Sequence, residues 1–492
     1  MARSIKGASW DAIFLSGAKI LTLLFGIVLS KIMSVGLSLQ AYGTYAQANL
    51  ITSVGTSLIL LGLGDALNYY FNNRQQDLSE EMRSRIVNTV FFLETVVGVI
   101  LAIAIYIGQN AVVNYFSNEA LRMLLPFVSV LPLLGNLMYF YQILYVSTGK
   151  AKIMSLYNLV IMIIKIVVAY IAVYVLNNLI WIYLVLVLLD LGQMLVFKLY
   201  LQKNNVRIRT FKISKAHIGK ILGYGLPMGV YALTSSLSRD LDKLVIGRLE
   251  GTETLAIYTN CSKILPFDVL VVSFATVLIP YIIRYVTEGN KDQSVRLFSS
   301  YMKVGYYSVW ILTAAVLITP ETIISFLYSD AYVAGKSIFV IYIFDSMLRF
   351  ASMHLILTAA NKTKTLMGYS LLSLGLNMVL NFLLYYLLGT IGPAVATLIT
   401  ALLYTWLILH KTIRIIDTRW RDVFNVKEVL WLLSTLVLGW FVAVMVNKGL
   451  LYLDLNSYLA MIISMALFGC GMLAVHFKKI SAVIKQINTF KL

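Results

Sequence analysis

The sequence predicts an all-α membrane protein of about fourteen transmembrane helices. Of its 492 residues, 60% are hydrophobic and 13% are charged, whereas soluble domains carry roughly 25% charged residues. The hydrophobic residues gather in runs of about 20 residues or more, which is the length that crosses a bilayer. Basic residues lie in the segments between these runs, and segments rich in Lys and Arg alternate with segments that have few. Lipid must therefore surround most of the chain.

The apolar runs form two groups of six, followed by a final pair. The first group is 10–33, 42–71, 86–107, 120–147, 153–175 and 179–199. The second group is 221–246, 255–285, 301–318, 337–359, 366–388 and 393–413, and the final pair is 429–446 and 458–477.

The distribution of Lys and Arg tests this number of spans. Segments on one predicted side contain about 29 basic residues, and those on the other side about four, as the positive-inside rule requires. Adding or removing one helix would destroy this alternation. We therefore expect a multi-pass protein of the inner (cytoplasmic) membrane with both termini in the cytoplasm.

The two six-helix groups are related by a weak internal repeat. Residues in the fourth interhelical segment and the fifth run recur 212 positions later: Lys150, Lys152, Tyr157, Leu159, Val167 and Tyr174 match Lys362, Lys364, Tyr369, Leu371, Val379 and Tyr386. A separation of six helices preserves orientation, so the halves are predicted to be parallel repeats. The predicted divisions are an N-terminal lobe (1–200), a basic cytoplasmic linker (201–220), a C-terminal lobe (221–416) and two extra helices with a cytoplasmic tail (417–492).

Several classes of function are excluded by what the sequence lacks. The net charge of +18 is spread over short segments and not gathered in one patch, so nucleic acid is not an expected partner. The outer segments are too short for the chemistry of a membrane glycosyltransferase or polymerase. Cys261 and Cys470 lie in apolar runs, and no motif for a nucleotide, a metal or another cofactor is present. We expect no enzyme activity, no catalytic residue and no cofactor.

Charged residues within the apolar runs are the candidate functional residues, because burying a charge in a bilayer costs several kcal/mol. Arg239 and Lys243 are four residues apart and share one helix face. Lys19 and Lys165 have few acids nearby in sequence. The cations expected to line a substrate-binding cavity are Lys19, Lys165, Arg239, Lys243, Lys263 and Arg349. The acids expected as their charge partners or as coupling-ion ligands are Asp65, Asp242, Asp268 and Asp345.

Two interpretations of these charges remain open. Asp345 and Arg349 are four residues apart with opposite charge, which is typical of a structural ion pair. Asp242 and Asp268 could likewise neutralise Arg239, Lys243 and Lys263 as interhelical salt bridges. Alternatively, excess positive charge in a cavity would bind an anionic headgroup such as a diphosphate.

Two parts of the chain resemble a known family. The stretch from Gly225-Leu-Pro-Met through 238–247 to Leu255-Ala-Ile-Tyr, with Lys263, resembles the seventh and eighth helices of polysaccharide exporters in the multidrug/oligosaccharidyl-lipid/polysaccharide (MOP) flippase superfamily. The segment 42–48 is similar to the start of their second helix. The resemblance covers nearly the whole chain.

This resemblance implies a V-shaped bundle whose lobes close alternately around a central cationic cavity. The expected function is to flip a polyprenyl-diphosphate-linked oligosaccharide, a cell-surface polysaccharide precursor. A multidrug/cation antiporter and a lipid II flippase of the same superfamily are the alternatives. The expected partners are the lipid-linked glycan, membrane lipids, H⁺ or Na⁺ as coupling ion, and a glycan polymerase or ligase as neighbour.

Overall fold

The computed structural model describes most of the chain. The described residues are 5–60, 62–64, 66–67, 80–147, 150–203, 215–263, 265, 267, 271, 281, 284–286, 288–352, 354–360 and 362–489. Within this part, every regular element is helical. The contacts divide the chain into two compact units, Met1–Ile257 and Tyr258–Leu492.

The first unit contains long apolar helices joined by short connections. They are α1 (Ile5–Gly36), α2 (Leu39–Leu60), α3 (Glu80–Ile107), α4 (Gln109–Phe116), α5 (Leu125–Ser147), α6 (Ala151–Tyr170), α7 (Ile180–Lys203), α8 (Lys215–Leu249) and α9 (Gly251–Cys261), the last of which crosses the boundary between the units.

The second unit contains the remaining helices. They are α10 (Lys291–Gly305), α11 (Ile311–Val316), α12 (Pro320–Leu327), α13 (Lys336–Ser346), α14 (Leu355–Ala359), α15 (Thr363–Leu388), α16 (Gly392–Ile415), α17 (Trp420–Val423), α18 (Val426–Tyr452) and α19 (Ser457–Thr489).

Local sequence signals fix several helix boundaries in the second unit. The side chain of Asn290 accepts a hydrogen bond from the backbone N–H of Gln293 at the start of α10, and Asn425 caps α18 in the same way. At the end of α15, Gly389 adopts a positive φ of 63°, which a glycine permits without strain. The chain then turns directly into α16.

Within the described residues, eight helical stretches are long and apolar enough to cross a membrane. One of them, Thr363–Ile415, contains both α15 and α16. A ninth is obtained if Lys291–Val316 and Pro320–Leu327, which meet at a bend of 87°, are counted as one span. The all-α membrane fold is thus confirmed, whereas the total of fourteen spans stays a prediction because several predicted spans extend outside the described residues.

The helix boundaries repeat with the offset found in the sequence. Helices α9, α15 and α16 each begin 212 residues after α2, α6 and α7 respectively (251 − 39, 363 − 151 and 392 − 180). Lys150 and Lys362, which precede α6 and α15, even share backbone angles, with φ of −101° and −98°. This regularity is what two copies of one six-helix unit would produce.

Packing in the first unit combines aromatic contacts with a few polar ones, and polar contacts between helices are typical within membranes. Helix α5 packs against α2, α3 and α7, and α1 packs against α6. Aromatic residues fill the interface between α3 and α5, where the Phe91 and Phe140 rings lie 5.3 Å apart. Asn136 of α5 donates a hydrogen bond to the backbone oxygen of Thr56 in α2 at 3.1 Å.

The segment after α2 and helix α8 approach each other closely at two glycines. Gly62 has a positive φ of 70°. A Cβ atom at Gly62 would lie 1.9 Å from the backbone oxygen of Gly225. Any side chain at position 62 would therefore both strain its own backbone and collide with α8.

We expect Gly62→Ala to destabilise the protein by about 3 kcal/mol or more, from overpacking together with the strain of a left-handed alanine. The measurement is the thermal unfolding midpoint of the purified protein in detergent. Gly135→Ala is the matched control, because a Cβ at Gly135 in α5 has no neighbour within 4 Å. Equal midpoints for the two variants would contradict the close approach.

In the second unit, α18 and α19 pack against each other and onto α10, α11 and α12. The Tyr307 hydroxyl donates to the carboxylate of Glu428 at 2.8 Å, which ties the α10–α11 connection to the start of α18. Thr435 and His476 share a hydrogen bond of 2.8 Å between α18 and α19. The start of α18 is thereby joined to the α10–α11 connection, and α19 is joined to α18.

The boundary between the compact units differs from the predicted lobe boundary. The contacts place α8 in the first unit, because it packs against α2, α3 and α4. The sequence repeat places the same helix at the start of the second lobe. The compact units reflect which helices contact each other, whereas the predicted lobes reflect the order of the sequence repeat. The contacts therefore do not test the predicted divisions at 200, 220 and 416, which stay a proposal.

Candidate cationic sites

Polar side chains join α2 to α8 in the first unit. The Ser53 hydroxyl donates to Oδ2 of Asp240 at 2.7 Å, and the Ser57 hydroxyl donates to that of Ser236 at 2.7 Å. Each helix contributes residues four apart, which lie on one face. Buried hydroxyl and carboxyl groups need such partners, since an unsatisfied polar group is costly in lipid. We call these four residues the α2–α8 seam.

The seam determines the environment of Lys243. Its Nζ lies 3.1 Å from Oδ1 of Asp240 and donates to the backbone oxygen of Arg239 at 2.7 Å. The side chains of Lys243 and Asp240 are only 18% and 16% exposed. The charge of Lys243 is therefore already compensated within its own helix.

Arg239 differs from Lys243, although the two share a helix face. It is exposed, and within the described part of the chain its guanidinium forms no hydrogen bond or ion pair. Asp242, which the sequence suggested as a salt-bridge partner, is fully buried, and its Oδ1 accepts a hydrogen bond from the backbone N–H of Lys243 at 2.7 Å. Asp240 is thus the ion-pair partner of Lys243, and the guanidinium of Arg239 is a cation available to a ligand in the described part of the chain.

A second set of contacts joins α2 to the region around the start of α9. Gln47 donates to the hydroxyl of Thr252 at 3.2 Å and accepts from the amide of Asn118 at 2.6 Å. Arg248, in the last turn of α8, donates to the backbone oxygen of Tyr115 at 3.0 Å. These groups lie at the end of α8 that is predicted to face outward.

Lys165 and Lys19 belong to the first unit as well. Lys165 in α6 lies within electrostatic reach of Asp190 in α7, an acid that is distant in sequence and was not assigned to it. Asp190 also accepts a hydrogen bond from Gln193 at 3.3 Å. Lys19 lies in α1, but its side chain is outside the described residues.

Lys263 lies just after α9 in the second unit. Its Nζ donates to Oδ1 of Asn260 at 2.7 Å and lies 5.5 Å from the ring centroid of Tyr328. The Tyr328 ring is buried and packs at 5.8 Å against that of Tyr332, whose backbone oxygen accepts from the thiol of Cys261 at 3.4 Å. A cation–π contact of this kind is worth about 0.5–2 kcal/mol.

Asp345 and Arg349 form the ion pair that their spacing predicts. The carboxylate is 3% exposed and the guanidinium 26% exposed. The charge of Arg349 is compensated by this buried acid, so its attraction for a substrate is weaker than that of an unpaired arginine. The other two acids of the candidate set, Asp65 and Asp268, lie outside the described residues.

Glu94 and one polar cluster were not in the candidate set. Glu94 in α3 is completely buried, and neither carboxyl oxygen has a hydrogen-bond partner in the described part of the chain. In the second unit, the buried Asn377 donates to Thr400 at 3.1 Å and accepts from Asn381 at 3.0 Å, which links α15 to α16. The sequence did carry a signal for Glu94, because it is a single acid within an apolar run.

Among the described residues, no group of three His, Cys, Asp or Glu is placed to hold a metal ion.

Solved structures with the same fold are membrane transporters. The lipid II flippase MurJ in an inward closed conformation superposes with a TM-score of 0.68 at 15% identity, covering 95% of this chain and 98% of the flippase. An inward-facing multidrug resistance MATE family transporter of the MOP superfamily gives a TM-score of 0.65 at 14% identity, covering 82% of this chain and 98% of the transporter. An outward-facing multidrug resistance MATE family transporter of the MOP superfamily gives a TM-score of 0.58 at 14% identity, covering 82% of this chain and 94% of the transporter.

Sequence comparison gives the family. No curated protein matches the chain. A family model described as "Polysaccharide biosynthesis protein" matches residues 32–337, which is more than half of the 492 residues and includes the segments that resemble polysaccharide exporters. The chain has the fold of MOP superfamily transporters and belongs to the polysaccharide biosynthesis protein family.

Proposed function

We propose that this protein flips a polyprenyl-diphosphate-linked oligosaccharide, the precursor of a cell-surface polysaccharide, across the inner membrane by alternating access. Family membership supports the polysaccharide pathway, and the transporter fold supports movement of a solute across the bilayer. The protein acts as a transporter and not as an enzyme, with both termini in the cytoplasm.

The observation that supports this substrate best is the exposed guanidinium of Arg239, which has no partner among the described residues. An arginine within a membrane helix is expensive unless it faces water or a ligand. Planar guanidinium groups bind phosphate oxygens through two parallel hydrogen bonds. Arg239 is therefore the primary diphosphate contact. Lys263, Lys165 and Lys19 are the further cations proposed for the site, whereas Lys243 and Arg349, which already pair with acids, contribute less.

The contacts of α2 with α8 and α9 give a physical basis for alternating access. If the repeat defines the lobes, α2 belongs to the first lobe and α8 and α9 to the second. The seam and the Gln47–Thr252 hydrogen bond then join the lobes, and they must break when the cavity opens outward. Such hydrogen bonds suit this role because each contributes only about 1–3 kcal/mol net, with the upper end applying to the bond that the Asp240 carboxylate accepts.

Uphill transport needs an energy source, and the sequence contains no nucleotide-binding motif. We propose that H⁺ or Na⁺ moves with or against the substrate, with Asp65, Asp242, Asp268 and Asp345 as the acids that sense it. A glycan polymerase or ligase on the outer face would consume the flipped product.

Depletion of the protein tests the substrate. We expect a polyprenyl-diphosphate-linked oligosaccharide to accumulate in the inner membrane, because the upstream enzymes continue to make a product that no longer crosses. Mass spectrometry of extracted lipids, compared before and after depletion, identifies the accumulated species and the glycan it holds.

Two other outcomes would replace the proposal. Accumulation of lipid II alone would assign the chain to lipid II flipping. Hypersensitivity to cationic drugs without accumulation of any lipid-linked sugar would assign it to multidrug/cation antiport. Re-expression of the wild-type chain is the control, and it must reverse the accumulation.

A further inference from the structure

An open pocket of about 350 Å³ lies where α10, α18 and α19 meet in the second unit. One side is formed by the last turn of α10, another by the first turn of α18 and the third by the end of α19. We call it the lysine pocket, and its lining residues are Lys303, Asn425, Lys427, Glu428, Lys479, Ala482, Val483 and Gln486.

The charges of the lysine pocket do not cancel. Among the described residues that line it, Glu428 is the one acid, and its carboxylate is already bound by the Tyr307 hydroxyl at 2.8 Å and by Nζ of Lys303 at 3.4 Å. Its side chain is only 11% exposed. Within the described residues, the ammonium groups of Lys427 and Lys479 have no hydrogen-bond or ion-pair partner. Two positive charges therefore remain in the pocket.

The backbone adds to this positive potential. The pocket includes the first turn of α18, where the helix dipole is positive. Asn425 caps only the backbone N–H of Glu428 there, at 3.3 Å. An anion in the pocket would meet two lysines and a helix start together, which is the arrangement that phosphate groups favour.

The surroundings of the pocket favour a lipid. Leu430 and Trp431 follow Lys427 by one turn and are 59% and 52% exposed, and Ile484 of α19 is 54% exposed. Tryptophan near the end of a membrane helix is typical of the membrane–water interface. Acyl chains attached to a headgroup in the pocket could lie along these side chains, whereas a free phosphate gains nothing from them.

We propose that the lysine pocket binds the phosphodiester headgroup of an anionic phospholipid of the cytoplasmic leaflet. The pocket lies at the ends of α18 and α19 that are predicted to face the cytoplasm, where anionic lipids attract basic residues. The bound lipid holds the last two helices together by bridging Lys427 of α18 and Lys479 of α19. This site is separate from Arg239 and Lys263 and does not depend on the transported substrate.

A second groove in the same unit has no excess of positive charge, unlike the lysine pocket. It has a volume of about 670 Å³ and is lined by equal numbers of acidic and basic side chains. Lys291 in this groove forms an ion pair with Asp417, which lowers the pKa of the Asp417 carboxyl. The charged residues of this groove are Lys291, Asp292, Arg296, Asp417, Arg419 and Asp422. Because it is neutral, it provides a matched control.

The test compares lipid retention by the full-length protein. Wild type, Lys427→Gln/Lys479→Gln and the control Lys291→Gln are purified in detergent and titrated with phosphatidylglycerol or phosphatidylcholine, and bound lipid is counted by native mass spectrometry. We expect wild type and Lys291→Gln to bind phosphatidylglycerol more tightly than phosphatidylcholine. The double variant should bind phosphatidylglycerol at least about tenfold more weakly than wild type does. The single variant Lys427→Glu, at an exposed position, should weaken binding as well.

Two results would overturn the proposal. Equal retention of phosphatidylglycerol by wild type and the double variant, or a loss just as large in Lys291→Gln, would show that the lysine pocket does not select the headgroup. Inorganic phosphate is the second probe. If millimolar phosphate displaces the lipid fully and stabilises wild type to the same extent on its own, the pocket is a site for free phosphate.

Discussion

Replacing Arg239 with alanine is expected to reduce export by about tenfold to a hundredfold, while the protein stays inserted and abundant. The guanidinium is exposed and has no partner in the described part of the chain, so its removal breaks no contact seen there. A charge-assisted hydrogen bond to phosphate is worth about 1.5–3 kcal/mol, which sets the size of the effect. The measurement is the rate at which lipid-linked oligosaccharide reaches the outer leaflet in cells that express the variant.

Two variants separate this role from general effects of charge. Arg239→Lys keeps the charge without the bidentate geometry and should retain part of the export. Arg122→Ala is the matched control, since Arg122 is an exposed arginine of the same unit that pairs with Glu119 between the spans. Exposed pairs of this kind contribute little, so Arg122→Ala should behave like wild type. Normal export by Arg239→Ala would remove Arg239 from the substrate site.

The fold was predictable because membrane helices are specified by local sequence. Long apolar runs define the spans, and the offset of 212 residues between Lys150 and Lys362 reappears in the starts of α6 and α15. The 87° bend before Pro320 was not predicted. The apolar pattern continues through such a bend, so hydropathy does not reveal it.

The pairing of charges was predictable only within a helix. Asp345 and Arg349 pair because i, i+4 spacing brings them together in any helix. Asp240, and not the adjacent Asp242, pairs with Lys243 by the same rule, because side chains three residues apart meet on a helix and neighbouring ones do not. The Asp240 carboxylate also accepts a hydrogen bond from Ser53 of α2. That contact spans 187 residues, and nothing local in the sequence indicates it.

Cations assigned to one cavity from sequence alone therefore divide into distinct environments. Lys243 is neutralised by Asp240, Arg349 by Asp345, and Lys165 lies near Asp190. Sequence shows that these charges lie in membrane helices, whereas tertiary packing decides which of them is compensated.

Lys263→Ala is expected to abolish export in the same assay, with protein abundance unchanged. The ammonium group is fixed by the amide of Asn260 and the ring of Tyr328, so it is positioned before a ligand arrives. Such preorganisation lowers the cost of binding an anion. Lys263→Arg should retain part of the activity, because attraction to a diphosphate needs charge more than a particular shape. Tyr328→Phe, which keeps the aromatic ring, is the matched control and should export normally.

A purely structural role for Lys263 makes the opposite prediction. If Lys263 serves only to neutralise Asp242, which is fully buried, then Lys263→Ala leaves a buried charge uncompensated and costs about 3–5 kcal/mol. Protein abundance would then fall, and Asp242→Ala/Lys263→Ala would restore both abundance and export. A binding role predicts that the double variant stays inactive however well it folds, because removing the acid does not return the cation. Export by the double variant at the wild-type rate would therefore exclude Lys263 from the anion site.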